Sequence, residues 1–401
     1  MVNTTQEEKT NRIVQTMAKR FESYGYRKAQ TQAFETYAMY GEVDHPMDPR
    51  DMIKLTNYDG ELLVLRPDVT LPIAYRYAEQ LKRQKETEPM ERKFYYVQEV
   101  FRQTFQPNDP IETLQMGIEC FEPSRPEADA EIIALASHTL HDLNLSHHTF
   151  EVGFATFVDD LLAPYDLSTN ELDEIERLIR AKNMAELQQF LQPLAIDAQA
   201  KEIASNIPTF YGTIEVVEER LETYATNEAV KETLDYLKRV DESLTLFGVD
   251  QQVVYDFGLI NRMDYYSHLI FQAYVEGVGK PVLMGGRYDD LSQQFGVATP
   301  AIGFAFDMDP LVSAVPTAKE DEYALDVAIT YDEAAREAAI ELAMNLRERF
   351  YRTVLGDRSD GALYDVSMTD GQIHVRTATR EETYDNVDAL LRSFIERQGA
   401  N

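Results

Sequence analysis

Apolar residues recur at helical spacing near the start of the chain. Ile13, Met17, Phe21 and Tyr24 mark one face of a helix over 7–24, and Gly25 supplies its stop. The pattern then changes to alternation. MIKLTN and ELLVLR, separated by Tyr58-Asp59-Gly60, predict a hairpin over 51–66, because Asp-Gly takes the turn that twisted strands require. Pro67-Asp68-Val69-Thr70 leads into a helix over 71–83. Strands follow at 93–103 and 114–122, joined by the polar loop Gln106-Pro107-Asn108-Asp109-Pro110, then a helix at 127–143 and alternation again from Thr149 to Gly153. Hairpins and long strands with few crossover helices imply an antiparallel α+β sheet, not a doubly wound parallel one.

Residues 168–247 read differently. Ser168 and Glu171 form a capping box, and Leu172, Ile175, Leu178 and Ile179 stripe the adjoining helix. Further helices are expected at 183–192, 198–205, 213–223 and 227–245, which makes about 165–248 a helical insertion. Strands resume at 251–259, 265–276 and 280–284, and AIGFAF (301–306) ends a large domain of 1–317. Ala318-Lys319-Glu320-Asp321-Glu322 reads as a linker. A small α/β domain of 322–401 comes after it, with a strand–helix unit at 325–349, weak strands at 362–368 and 371–377, and a last helix at 385–397.

Charge narrows the partners. The 401 residues carry 38 Lys and Arg against 70 Asp and Glu, a net charge of −32, which repels nucleic acid and anionic membranes. An acidic surface of this kind also suits a salty or alkaline habitat, which would explain the charge without any function. The single cysteine, Cys120, excludes an intramolecular disulfide and fits a reducing compartment. No run approaches the ~20 apolar residues of a membrane helix, and the N-terminus lacks the basic start and apolar run of a secretory signal. A cytoplasmic protein is expected. The seven His are scattered, no P-loop or GxSxG elbow is present, and Cys120 reads as core filling, so neither metal nor cofactor is expected.

Polar residues on the inner strands remain. Arg66, Asp68 and Thr70 follow the hairpin, Arg102 lies in one long strand, and Tyr265 and Tyr266 start another. Gln115 and Glu119, four apart in a strand, share a face. Acceptors grouped on one face suit a small cationic ligand. Singly, each residue reads as part of an ordinary salt bridge; as an ordered set they point to a site.

That order resembles histidyl-tRNA synthetases. LRPDVT (65–70), YYVQEVFRQ (95–103), LQMGIECF (114–121), MDYYSHLIFQAY (263–274), MGGRYDDL (284–291) and AIGFAF (301–306) stand in the family's sequence, and FESYGYRKAQTQAFE (21–35) resembles its dimer-forming first motif. The resemblance covers about 1–310 and implies a class II aminoacyl-tRNA synthetase-like fold, an antiparallel sheet flanked by helices, in a homodimer. It also implies that Asp68, Thr70, Arg102, Gln115, Glu119, Tyr265 and Tyr266 contact histidine, with Arg262 a candidate for its α-carboxylate.

Departures from the family fall on the ATP side. Asn261 holds the position of a catalytic Arg, with Arg262 one residue along. Asp309-Pro310-Leu311 replaces a Glu-Arg-Leu whose Arg clamps ATP. The loop after Arg102 carries Asp109 and Glu112 where phosphates would want cations. On the amino-acid side, Asp68 is one methylene shorter than the family's Glu. Residues 326–350 resemble the opening of an anticodon-binding domain, but the remaining residues are too few for the whole domain. This pattern resembles the regulatory subunits of ATP phosphoribosyltransferase, synthetase paralogues without catalysis of their own. Such a chain partners a short catalytic subunit in a hetero-octamer at the first step of histidine biosynthesis, with L-histidine as feedback inhibitor. A divergent active synthetase and a stand-alone amino-acid-binding paralogue are the alternatives.

Overall fold

A computed structural model describes residues 4–41, 47–83, 92–103, 110–224, 227–260, 266–316, 325–356, 362–369 and 371–398. Its contacts divide the chain into a large unit, Ile13–Val315, and a smaller one, Met1–Arg12 with Pro316–Asn401.

The apolar stripe becomes helix α1 (Thr4–Ser23), which buries Ile13, Met17 and Phe21. Gly25 ends it at φ 85°, a left-handed conformation that glycine adopts without a Cβ clash. Strands β1 (Arg27–Lys28) and β2 (Phe34–Thr36) and helix α2 (Tyr37–Gly41) follow. The hairpin forms as β3 (Lys54–Thr56) and β4 (Leu62–Leu65), with Leu55 opposite Leu63 and Gly60 at φ 82°. It joins β2 in a separate three-stranded sheet. Helix α3 (Thr70–Arg83), strands β5 (Lys93–Phe101) and β6 (Glu112–Cys120), helix α4 (Pro126–Asp142) and strand β7 (His148–Phe154) come next.

The insertion is helical, as its pattern predicts. After α5 (Phe157–Leu162), it contains α6 (Thr169–Arg180), α7 (Met184–Leu191), α8 (Ala198–Asn206), the short β8 (Tyr211–Gly212), α9 (Ile214–Leu221) and α10 (Glu228–Phe247). Ser168 and Glu171 close the capping box on α6. Strands β9 (Val253–Asp256), β10 (Leu269–Val275) and β11 (Leu283–Arg287), helix α11 (Leu291–Gln294), strand β12 (Ile302–Asp307) and helix α12 (Met308–Ala314) complete the unit.

Among the described residues, nine strands form the large sheet in the order β1-β5-β6-β12-β11-β10-β7-β9-β8. All neighbours are antiparallel except β1 with β5 and β7 with β9. One face buries Met116, Ile118, Phe150, Phe271 and Phe304 with residues of α1 and α4. The other face carries Tyr96 and Ala305 under α3 and Tyr288. Two strand expectations shift along the chain: 265–276 begins at Leu269, and 280–284 becomes Leu283–Arg287, so that Gly285 and Gly286 pair with Phe304 and Gly303.

The small unit contains β13 (Leu325–Tyr331), α13 (Arg336–Glu348), β14 (Thr353–Leu355), β15 (Ala362–Thr369), β16 (Gln372–Arg376), β17 (Glu381–Tyr384) and α14 (Val387–Gln398). Its sheet runs β14-β13-β15-β16-β17 over a core of Val327, Ile329, Leu342, Leu346, Val366 and Phe394.

Candidate functional site

Register places the site. Along β6, Gln115, Gly117 and Glu119 point to one face. In β5 they lie opposite Gln98, Tyr96 and Phe94, and in β12 opposite Asp307, Ala305 and Gly303. Gly286 of β11 stands beside Gly303. Three glycines on neighbouring strands thus leave this part of the sheet bare. A Cβ on Gly117 would come within 2.6 Å of the Tyr96 hydroxyl, and one on Gly286 within 2.7 Å of the Tyr266 ring. A Cβ on Gly303 would collide with the Glu119 carboxylate. The side chains of Tyr96, Tyr266 and Glu119 therefore lie directly on backbone.

Glu119 is the centre of this arrangement and is 1% exposed. Thr70, the first residue of α3, donates its hydroxyl to Glu119 Oε1 at 2.6 Å. The Tyr288 hydroxyl donates to Oε2. Burial pushes the Glu119 carboxyl up to about 8; the two hydroxyls pull it down and the nearby charge of Asp68 adds to the rise. Among the described residues, no cation is paired with it. A buried carboxylate served only by neutral donors has a large unmet affinity for a positive or N–H-rich ligand.

Asp68 is also buried, and its Oδ1 accepts the backbone N–H of Leu71 at 2.7 Å, which caps the first turn of α3. Burial raises its pKa, against that N–H and the charges of Arg102 and Arg66. Arg102 donates Nε to the carbonyl of Pro67 at 2.7 Å and so braces the loop that carries Asp68 and Thr70. Arg66 is 3% exposed and spends its guanidinium on the Glu99, Thr31 and Gln32 carbonyls, with Thr31 Oγ1 beside them. Its part is structural. Gln115 is half-buried on the Glu119 face. Tyr266 lies over Gly286. Asn261, Arg262 and Tyr265 fall outside the described residues.

Two further residues belong to the site that the chain alone does not single out. Tyr288 lies inside the MGGRYDDL motif, where nothing local marks its role. Tyr96 is fully buried among Glu119, Asp68, Tyr266 and Arg102. Strand parity relative to Glu119 is the signal that could find it.

The opposite end of the same face has other chemistry. Asp307 caps α12 through the N–H of Asp309 and pairs with Lys280 at 3.0 Å. Pro310 is buried in the first turn of α12. Burial raises the Asp309 carboxyl, and Asp307 adds to it. Among the described residues, no group of His, Cys, Asp and Glu could hold a metal ion, and no helix is long and apolar enough to cross a membrane.

Known proteins share this architecture. The sequence model of the histidyl-tRNA synthetase family matches residues 2–311. Histidyl-tRNA synthetase from Nostoc sp. superposes with a TM-score of 0.82 over 98% of this chain and 96% of that one, at 16% identity, which speaks for the fold alone. A structure described as an ATP phosphoribosyltransferase regulatory subunit/histidyl-tRNA synthetase from Bacillus halodurans gives a TM-score of 0.76 at 28% identity, over 88% of this chain and 90% of that one. The large unit is therefore a class II synthetase-like domain of the histidyl type. The ATP phosphoribosyltransferase regulatory subunit of Oceanobacillus iheyensis is 32% identical over 96% of this chain and 95% of its own length. That of Geobacillus sp. is 32% identical over 86% of each. The chain belongs to the ATP phosphoribosyltransferase regulatory subunit family.

Proposed function

We propose that the chain is a regulatory subunit without catalysis of its own. It binds L-histidine around Glu119 and acts through a short-form ATP phosphoribosyltransferase catalytic subunit. That subunit needs it for activity and for histidine feedback inhibition at the first step of histidine biosynthesis. The observation that carries this reading is the asymmetry of one sheet face. Its Glu119 end keeps acceptors and hydroxyls around a bare glycine floor. Its other end carries Asp307, and the helix that Asp307 caps opens with Asp309 and Pro310, where proline has no N–H with which to clamp a phosphate.

The shared name of relatives matched over nearly their whole length supports the partner. An active synthetase is not favoured: Lys280 at the Asp307 end is already paired with Asp307, and a tRNA path would need a cationic surface where the net charge is −32. Asp68, Thr70, Arg102, Gln115, Glu119, Tyr265 and Tyr266 are the proposed histidine contacts, with Arg262 toward the α-carboxylate. The first motif (21–35) is the proposed homodimer surface, and a cytoplasmic hetero-octamer is the proposed assembly. The proposed domains are 1–317 and 322–401.

Mixing the purified chain with the short catalytic subunit tests the reading. A stable increase in mass by light scattering is expected, with a phosphoribosyl-transfer rate that appears on mixing and falls when histidine is added. A catalytic subunit that neither binds the chain nor gains histidine sensitivity would overturn it.

A further inference from the structure

The last residue of β11, Arg287, and the residue after it face opposite ways. Tyr288 turns to the pocket and donates to Glu119. Arg287 turns to the helix side, where it is fully buried. Its Nε lies 3.0 Å from Asp129 Oδ1 of α4, its Nη2 also bonds that oxygen, and its Nη1 reaches Asp289 Oδ1 at 2.9 Å and the Glu122 carbonyl at 3.3 Å. Asp129, itself 0% exposed, accepts the Tyr236 hydroxyl on Oδ2 at 2.6 Å. Tyr236 belongs to α10, the long last helix of the insertion, and its ring packs edge-on against Phe154. An unbroken run of short polar contacts thus joins Glu119, through adjacent backbone, to α10.

We propose that Arg287, Asp129 and Tyr236 are positioning residues for the Glu119 pocket, and that ligand occupancy there is felt at α10 through them. The inference rests on the histidine reading above. Separating the pair would leave the fully buried Asp129 without a cation, while Arg287 is held from its other side by Asp289, so these contacts fix the backbone on which Tyr288 pivots. A ligand that takes over Glu119 competes with the Tyr288 hydroxyl. The strain passes to the fixed neighbour, the Arg287–Asp129 pair, and from there to the bond held by Tyr236. Reciprocity follows: whatever holds α10 in place also sets the ligand affinity of the pocket.

Tyr236→Phe is the discriminating variant, since it removes one hydroxyl and keeps the ring against Phe154. The full-length chain is studied by calorimetry with L-histidine and by hydrogen exchange at the α10 amides, with and without saturating histidine. In the unchanged protein, α10 exchange should slow at least about threefold on binding. In Tyr236→Phe, the α10 response should vanish and the histidine affinity should shift with it, as reciprocity requires. Histidine binding without any response of α10, or an equal response in Tyr236→Phe, would overturn the coupling while leaving the ligand intact. A second arm needs no ligand: α10 exchange in Tyr288→Phe, Tyr236→Phe and the double variant. Non-additive effects are expected. Effects that add within about twofold would overturn the coupling. Absence of histidine binding with non-additive exchange would instead sink the histidine reading and keep the polar route.

Discussion

The Glu119 end and the Asp307 end of one sheet face sit on the same two strands, β6 and β12, four residues apart in each. They are built by the same register and flanked by helices of the same domain, yet they offer different chemistry. At the first, a carboxylate is buried, fed by two hydroxyls and surrounded by glycines that leave room for side chains to close over it. At the second, carboxylates are capped or ion-paired and a proline fills the helix start. A fold can keep one half of a bisubstrate surface and let the other lapse, because each half depends on a few side chains and not on the sheet itself.

The largest effect expected from that contrast is on adenylation. No histidine-dependent exchange of pyrophosphate into ATP is expected from the purified chain. A rate of roughly 1 s⁻¹ or more, ordinary for an enzyme, would erase the distinction between the two ends.

Glu119→Gln tests the first end alone. The swap is nearly isosteric and keeps an acceptor for Thr70. It leaves the charged group of a bound ligand without its counter-ion, a loss of about 2–5 kcal/mol, or roughly thirty-fold or more in affinity. Calorimetry with histidine should show that drop while the thermal transition does not fall. Unchanged affinity would mean that the pocket is not the binding site.

Per pH unit, the smallest effect is a pH dependence of stability. Folded Glu119 titrates near 8, whereas an ordinary glutamate does so at 4.5. Between those values the folded protein keeps a proton that the unfolded chain gives up. Stability from this group is therefore fully present below pH 4.5 and is lost as pH rises through 8, by up to about 1.4 kcal/mol per pH unit. Denaturation midpoints of the unliganded chain should fall across that window, and Glu119→Gln should flatten the slope. An equal slope in both would show that Glu119 is already ionised when folded.

Much of this architecture is legible in the chain. The stripe of α1, the Asp59-Gly60 turn and the Ser168–Glu171 capping box are local signals, and local signals survive folding. The hairpin's membership of a separate sheet is not legible, because pairing with β2 depends on residues far along the sequence. β14 and β17 escape for a different reason: the three residues of β14 carry too short a pattern, and Glu381-Glu382-Thr383-Tyr384 has no apolar alternation. At the site, parity puts Gln115 and Glu119 on one face, as the structure has them. The glycine floor is hidden, since Gly117, Gly286 and Gly303 act by what they omit and only the register brings them together. Arg66 reads as a site candidate because its burial among backbone carbonyls leaves no trace in composition.

The glycine floor has a consequence for how such a pocket can change over generations. A surface made of hydrogen atoms has nothing left to trim, so every substitution at Gly117, Gly286 or Gly303 adds volume where Phe304, Tyr96, Tyr266 or Glu119 already stands. Drift at the floor can only push those groups away from the sheet. Any widening, and with it any taste for a bulkier ligand, has to come from the roof, through residues such as Thr70, Tyr96 and Tyr288. For the proposed site, selectivity would thus be a ratchet on one side and adjustable on the other.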